Sequence, residues 1–401
     1  MTSTIPYGRQ DITQADIDAV VEVLRSDFLT QGPLVPRFEQ TVAAYCGAKH
    51  GVAANSATSA LHVACLALGL GNGDWLWTTP ITFVASANCG LYCGAKVDFV
   101  DIDPRTYNIS VARLAEKLVE AERERRLPKV VVAVHHCGQP CDMAGIHALS
   151  KRYGFKIIED AAHAIGAKYK AALPGGASDA RAFEAVGNCR YSDITVFSFH
   201  PVKIITTGEG GVAVTNDAGL ADRMQRYRSH GITSAKEQMH ARPADEIWNY
   251  QQIRLGYNYR MIDIEAALGL SQLVRLDEYV ARRHRIAERY DEALAGMPLQ
   301  LPWQHPDGYS SYHLYPIRVS PGRAKRSQRE VYEAFIADGV LVNIHYIPVY
   351  RQPYFEAMGF AAGYCPEAER YYKETISLPI YSTLREADQA RVIHSLERAL
   401  H

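Results

Sequence analysis

No stretch of this sequence approaches the roughly 20 consecutive apolar residues that a membrane-spanning helix requires. The opening residues, MTSTIPYGRQDITQADI, lack a basic segment followed by an apolar run, which is the mark of an export signal. No CxxC pair is present. The eight cysteines, Cys46, Cys65, Cys89, Cys93, Cys137, Cys141, Cys189 and Cys365, are scattered through apolar stretches. Without export or paired spacing they read as reduced, buried thiols. An excess of charge is missing too. Lys and Arg number 43 against 44 Asp and Glu, a formal net charge of −1. That balance gives no reason to expect nucleic acid or an anionic membrane as partner. The expectation is a cytoplasmic protein that does not enter the membrane. No internal repeat is visible.

What is present fits a large folded chain. With 401 residues and 47% hydrophobic content, the sequence is too long for one ordinary domain. Thr13 and Asp16 make a capping box, after which Ile17, Val20, Val21 and Leu24 share a helical face. A second helix is predicted from Ser56 through Leu61, Cys65 and Leu68 to a stop at Gly69. Short strands separated by helices follow, at 75–78, 96–100, 129–134, 156–159, 193–197 and 211–215. Several are nearly continuous apolar runs, as expected of strands covered on both faces. One intervening helix opens at Asp142 and continues through Met143, Ile146, Leu149 and Tyr153. This alternation predicts an α/β domain with a mainly parallel sheet.

After Arg260 the pattern changes. Residues 262–295 read as long helix in one or two pieces. Beyond them come a strand at 313–319, a helix at 328–337, a short strand at 340–344 and a last helix after Glu386. The division is placed at 1–297 for a large α/β domain and 298–401 for a small α+β domain. Residues 171–187 and 233–247 are predicted as surface loops.

Four features carry candidate chemistry. Phe197-Ser198-Phe199-His200-Pro201-Val202-Lys203 follows a strand and leads into Thr206-Thr207-Gly208-Glu209-Gly210-Gly211. A lysine between buried strands has a desolvated, lower-pKa amine. Asp160 ends the strand Ile157-Ile158-Glu159-Asp160, where α/β sheets bind ligands. Asn55-Ser56-Ala57-Thr58-Ser59 opens a helix with small residues, which suits an anion. Thr79-Pro80-Ile81-Thr82-Phe83 offers a rigid turn and an aromatic ring for stacking. Alone, each has a plainer reading: loop lysine, helix cap, serine-rich N-cap, core phenylalanine.

Their order resembles the fold-type I enzymes that use pyridoxal 5′-phosphate (PLP), and most of all the DegT-type sugar-nucleotide aminotransferases. The resemblance extends over Tyr7-Gly8-Arg9-Gln10, Leu29-Thr30-Gln31-Gly32-Pro33, Glu159-Asp160-Ala161-Ala162-His163, Gly256-Tyr257-Asn258-Tyr259-Arg260 and His345-Tyr346-Ile347-Pro348. It implies a mainly parallel central sheet with helices on both faces and a smaller C-terminal domain. By the same resemblance, Lys203 holds PLP as an imine and shuttles the proton. Asp160 pairs with the pyridine nitrogen, Phe83 stacks on the ring, and His163 lies near the ring hydroxyl. Thr58, Ser59 and Ser198 hold the phosphate. Asn258 reaches the phosphate of a neighbouring subunit, which implies a homodimer with shared sites. Tyr7, Thr30, Gln31 and His345 surround the sugar nucleotide.

Within the family, Val134-His135-His136-Cys137-Gly138-Gln139-Pro140 and FSFHPVKIITTGEGG resemble the branch serving pseudaminic acid synthesis. That branch aminates C4 of a UDP-linked 4-keto-6-deoxy-N-acetylhexosamine, with L-glutamate as donor. C3 amination and other nucleotides stay open. Residues 171–187 lengthen the interval between Asp160 and Lys203 relative to the family. Two rivals exist: the family's dehydratase branch, where histidine replaces the lysine, and a non-catalytic PLP-binding sensor. Lys203 argues against the first, the full set of candidates against the second. His135, His136, Cys137 and Cys141 resemble a metal cluster only superficially, because adjacent strand residues face opposite ways. No metal is expected. Arg282-Arg283-His284-Arg285 reads as a solvated helix face.

Overall fold

The structure, a computed structural model, describes residues 4–170, 182–241, 246–319, 322 and 324–401. Local signals set the first elements. The Thr13 N–H donates to Asp16 Oδ2 at 2.8 Å and opens α1 (Gln14–Leu24). α2 (Leu34–Cys46) ends at Gly47, whose φ of 77° stops the helix. β1 (His50–Ala54) leads into α3 (Ala57–Ala67), capped by Ser56. Then strands and helices alternate as the apolar runs predict: β2 (Trp75–Thr78), α4 (Ala85–Tyr92), β3 (Lys96–Phe99), α5 (Val111–Arg123), β4 (Val130–Val134), α6 (Met143–Tyr153) and β5 (Lys156–Asp160). β6 (Lys168–Lys170), β7 (Phe183–Ala185), β8 (Ile194–Ser198), β9 (Gly211–Thr215), α7 (Ala218–Arg228), β10 (Ile232–Thr233) and β11 (Gln251–Gln252) come next. The predicted long helix is two, α8 (Asp263–Leu273) and α9 (Leu276–Leu294). β12 (Gly308–Tyr309), β13 (Tyr315–Arg318), α10 (Gln328–Ala337), α11 (Pro353–Glu356), α12 (Pro366–Glu374), β14 (Thr375–Leu378) and α13 (Glu386–Leu400) follow. None of the described helices is long and apolar enough to cross a membrane.

The main sheet has the strand order β1-β9-β8-β5-β4-β2-β3. β8, β5, β4, β2 and β3 run parallel, and β9 is antiparallel to both β1 and β8. Side chains alternate between the two faces. Val130 and Val132 of β4 join a cluster with Leu61 and Val63 of α3, whereas Val131 and Ala133 pack with Leu114, Leu118 and Ile146 of α5 and α6. Helices therefore cover both faces, as expected. The parallel strands end together, which brings Asp160 of β5 and Ser198 of β8 to one edge.

A separate cluster joins Ile5, Tyr290 and Leu294 to Ile317, Phe335, Ile376 and Leu396 around the β13–β14 pair. Val349, Tyr350, Phe355 and Tyr371 instead pack into the cluster of the main sheet, with Phe99.

Three expectations change. Residues 340–344 are not a strand; their strand-like pairing is limited to isolated bridges, Ile5 with Val340 and Asn343 with Ser377. Of residues 171–187, the end is β7, paired with β6, while 171–181 lie outside the described residues. Of the predicted 233–247 loop, residues 242–245, with Pro243, also lie outside them. Finally, Arg283 is not solvated. It is buried and donates to the carbonyl oxygens of Tyr312, His313 and Ile380. These three acceptors gather around Nη1, while the buried Nε–H has no hydrogen-bond partner among the described residues.

Candidate active site

A cavity of about 890 Å³ opens where β5 and β8 end. Its lining includes Lys203, Asp160, His163, Ser198, Thr58, Ser59, Phe83, Tyr7 and His345. Nine of the twelve predicted site residues thus meet in one space. Thr30, Gln31 and Asn258 do not line it; all three are exposed on the surface of this chain.

The wall nearest α3 is shaped by capping. The Ser59 N–H donates to Ser56 Oγ at 3.1 Å, which leaves the other first-turn N–H groups of α3 beside the cavity. β9 crosses close behind. A Cβ on Gly211 would stand 2.5 Å from the Ala57 backbone, so only glycine lets strand and helix approach.

Lys203 sits on a loop closed by Phe199, whose N–H donates to Gly210 O at 2.9 Å and whose carbonyl accepts from Thr207 N at 3.0 Å. The Phe199 ring is buried against Phe38. Burial lowers the Lys203 amine from 10.5 to about 8, and the Asp160 charge partly opposes that fall. About a tenth of the amine is then uncharged at neutral pH.

Asp160 is fixed from two sides. Ser86 Oγ donates to its Oδ2 at 2.6 Å, and the Ala162 N–H donates to its Oδ1 at 3.1 Å. Ser86 is itself bonded to Thr82 Oγ1 at 2.7 Å. Sequence reasoning missed Ser86.

His163 pairs through Nε2 with the Tyr346 hydroxyl at 3.2 Å and packs on His313 with ring centroids 4.3 Å apart. Its Nδ1 is buried and has no protein partner. Burial, then the nearby Lys203 charge, holds His163 well below its usual range, so it is neutral. Tyr346 was also missed, although His345 beside it was found. His345 bonds Ser377 Oγ at 2.9 Å and lies 5.4 Å from the Tyr7 ring. Burial lowers it to about 3.

The two histidines once set against a metal reading have other partners. His135 Nε2 meets buried Glu159 at 2.7 Å, while the Cys141 N–H donates into its Nδ1. That second bond requires an unprotonated Nδ1, so His135 is neutral and donates to the Glu159 carboxylate. His136 Nε2 pairs with the Tyr371 hydroxyl at 3.1 Å.

A partly buried amine, a fixed carboxylate, an open helix start and an aromatic ring converge here. Comparison with known proteins decides what they belong to. Residues 10–397 match the model of the DegT/DnrJ/EryC1/StrS aminotransferase family. The chain belongs to that family. It is 38% identical over 395 residues to the spore coat polysaccharide biosynthesis protein SpsC of Bacillus subtilis, covering 98% of this chain and 96% of that one. It is 36% identical over 385 residues to the UDP-4-amino-4,6-dideoxy-N-acetyl-beta-L-altrosamine transaminase of Campylobacter jejuni, covering 96% and 94%. Among solved structures, PseC of Helicobacter pylori, an aminotransferase involved in the biosynthesis of pseudoaminic acid, superposes with a TM-score of 0.86 at 30% identity over 99% of both chains. The PLP form of the putative sugar aminotransferase Spr1654 from Streptococcus pneumoniae gives 0.84 at 28% identity, over 99% of this chain and 100% of that one.

The protein is therefore a PLP-dependent aminotransferase with the fold-type I architecture. The cavity suits this cofactor. Phe83 lines it with 60% of its surface exposed, an apolar face that a flat ring would cover. The unpartnered His163 Nδ1 and the open start of α3 are donors or acceptors that a phosphorylated pyridine can use.

Proposed function

We propose that this enzyme moves the amino group of L-glutamate to C4 of a UDP-linked 4-keto-6-deoxy-N-acetylhexosamine, the reaction of pseudaminic acid synthesis. The observation that carries the chemistry is the pairing of Lys203 and Asp160 in one cavity, the amine uncharged enough to react and the carboxylate held by two donors. The substrate reading is supported by near full-length similarity to the altrosamine transaminase and to PseC. The higher identity to the spore coat protein favours a second reading, amination of another nucleotide-linked keto sugar.

When bound, PLP supplies an aldehyde that takes up the amino group and a ring that withdraws electrons from the carbon being deprotonated. Lys203 would hold it covalently. Asp160, kept in place by Ser86 and Ala162, would keep the pyridine nitrogen protonated. Phe83 would cover one ring face and His163 would meet the ring hydroxyl. Thr58, Ser59 and Ser198 would bind the phosphate at the start of α3. Lys203 Nζ, once free, takes the proton from the α-carbon of glutamate and returns one at C4 of the sugar. Tyr7 and His345 would border the sugar.

Thr30, Gln31 and Asn258 act, in this proposal, across a homodimer. Supporting it, exposed apolar side chains stand close to them in the sequence, Phe28 and Leu29 just before the first two and Leu255 just before the third. The apolar face of α1 is likewise exposed at Ile17 and Leu24. We also propose the division at residues 297 and 298 into a large cofactor domain and a smaller C-terminal one, and a cytoplasmic location.

The test is incubation with ¹⁵N-labelled L-glutamate and the UDP-linked 4-keto sugar. NMR of the product is expected to place ¹⁵N on C4. Label at C3, or transfer only to a sugar on another nucleotide, would overturn the substrate reading.

A further inference from the structure

His163 lines the cavity and is buried. Its carbonyl accepts from Ser311 Oγ at 2.7 Å, which fixes the backbone beneath the ring. His313 packs on the ring with centroids 4.3 Å apart and His136 approaches at 6.1 Å, yet neither hydrogen-bonds it. Among the described residues the ring has one hydrogen bond, between Nε2 and the Tyr346 hydroxyl at 3.2 Å. Nδ1 is buried without a partner. A neutral imidazole carries one proton, on Nε2 or on Nδ1, and the two forms offer opposite groups to a ligand.

The partners available separate the two forms. Among the described residues, the Tyr346 hydroxyl bonds the His163 ring and nothing else. Burial pushes that hydroxyl up, so it keeps its proton. With the His163 proton on Nε2, the ring donates to the Tyr346 oxygen. The hydroxyl proton then has no acceptor, and the Nδ1 lone pair is unmet as well. With the proton on Nδ1, the hydroxyl donates to the bare Nε2 and only the Nδ1–H is unmet. One unmet buried group costs less than two. Burial, the Lys203 charge and the neighbouring rings of His313, His136 and His345 keep a second proton off the ring.

We propose that Tyr346 is a positioning residue that locks His163 in its Nδ1–H form, so that His163 serves as a hydrogen-bond donor to an oxygen of the bound cofactor. This rests on the reading that His163 meets the ring hydroxyl of PLP. A ring oxygen that has lost its proton is only an acceptor; an Nδ1–H matches it and a bare Nδ1 repels it. The gain is preorganisation, because the donor is set before the cofactor arrives. Without the Tyr346 hydroxyl, the ring is free to carry its proton on either nitrogen. Equal populations would leave half of the protein in the matching form, which lowers PLP affinity about twofold.

The test is a long-range ¹H–¹⁵N NMR spectrum of the full chain labelled with ¹⁵N-histidine, in which the two ring nitrogens report where the proton sits. The His163 signals are those lost in His163→Ala. In the unmodified chain, PLP-loaded and cofactor-free, the proton should be on Nδ1. Cofactor-free Tyr346→Phe keeps the aromatic ring and loses only the hydroxyl, and it should show both forms. A His163 proton on Nε2 in the unmodified chain overturns the proposal, and that result holds even if the variant does not fold. A Tyr346→Phe spectrum identical to that of the unmodified chain also overturns it, because a packing role alone leaves the proton where it was. The underlying reading is tested separately, by the pH midpoint of the visible band of lysine-bound PLP. A donor to the ring oxygen stabilises negative charge there and holds that midpoint down, so His163→Ala should raise it by about one pH unit. An unmoved midpoint would overturn the reading of PLP as the acceptor, even with the proton on Nδ1.

Discussion

The amine of Lys203 gives the most quantitative prediction. At its ordinary value of 10.5, about 0.03% of a lysine is uncharged at pH 7; at about 8 the share is roughly 9%, a gain of about 300-fold. Burial is the cause, because it disfavours the ammonium. The sign is fixed. Below pH 8 the group is mostly protonated and its reactivity rises about tenfold per unit; above pH 8 the rise levels off. Competitive acetylation of the cofactor-free protein, read peptide by peptide, measures this directly. Lys203 should show a midpoint near pH 8, while exposed lysines keep gaining reactivity to about pH 10. Asp160→Asn removes the charge that holds Lys203 up, so the midpoint should fall further. A Lys203 profile that climbs without a break to pH 10 would refute the burial argument.

Two further outcomes test the supports of the site. Ser86→Ala removes the 2.6 Å bond to Asp160, a hydrogen bond to a charged group worth about 1.5–3 kcal/mol. PLP affinity, measured by titration, should weaken about 10- to 150-fold with the fold retained; unchanged affinity would remove Ser86 from the site. Gly211→Ala places a Cβ 2.5 Å from the Ala57 backbone, which has no flexible end to yield. A loss of about 1–3 kcal/mol is expected in urea unfolding, and an unaltered midpoint would contradict the close approach.

The sequence made the site legible wherever a chemical group sits at a recognisable boundary. Asp160 and Ser198 end apolar strands, and Ser56 opens a helix with its own cap, so local pattern locates them. The two long helices and α10 were legible for the same reason. Other features depend on distant partners and left no local trace. Arg283 sits in a run of charge, but carbonyls from residues 312, 313 and 380 define its environment. Residues 340–344 alternate like a strand, yet only two of them form backbone bridges. α2 begins without a side-chain cap and β1, His50-Gly51-Val52-Ala53-Ala54, has a single β-branched residue, so neither announces itself. Ser86 and Tyr346 matter because they touch Asp160 and His163, and contact across about 74 and 183 residues is invisible to periodicity.

The central claim is that Lys203 and Asp160 run an amino-transfer half-reaction in this cavity. The visible absorption spectrum of the PLP-loaded protein, recorded before and after adding L-glutamate, tests it most directly. The band of lysine-bound PLP should disappear and a near-ultraviolet band of the aminated cofactor should rise, with neither change in Lys203→Ala. A band that glutamate leaves in place, or the same change in Lys203→Ala, would contradict the account.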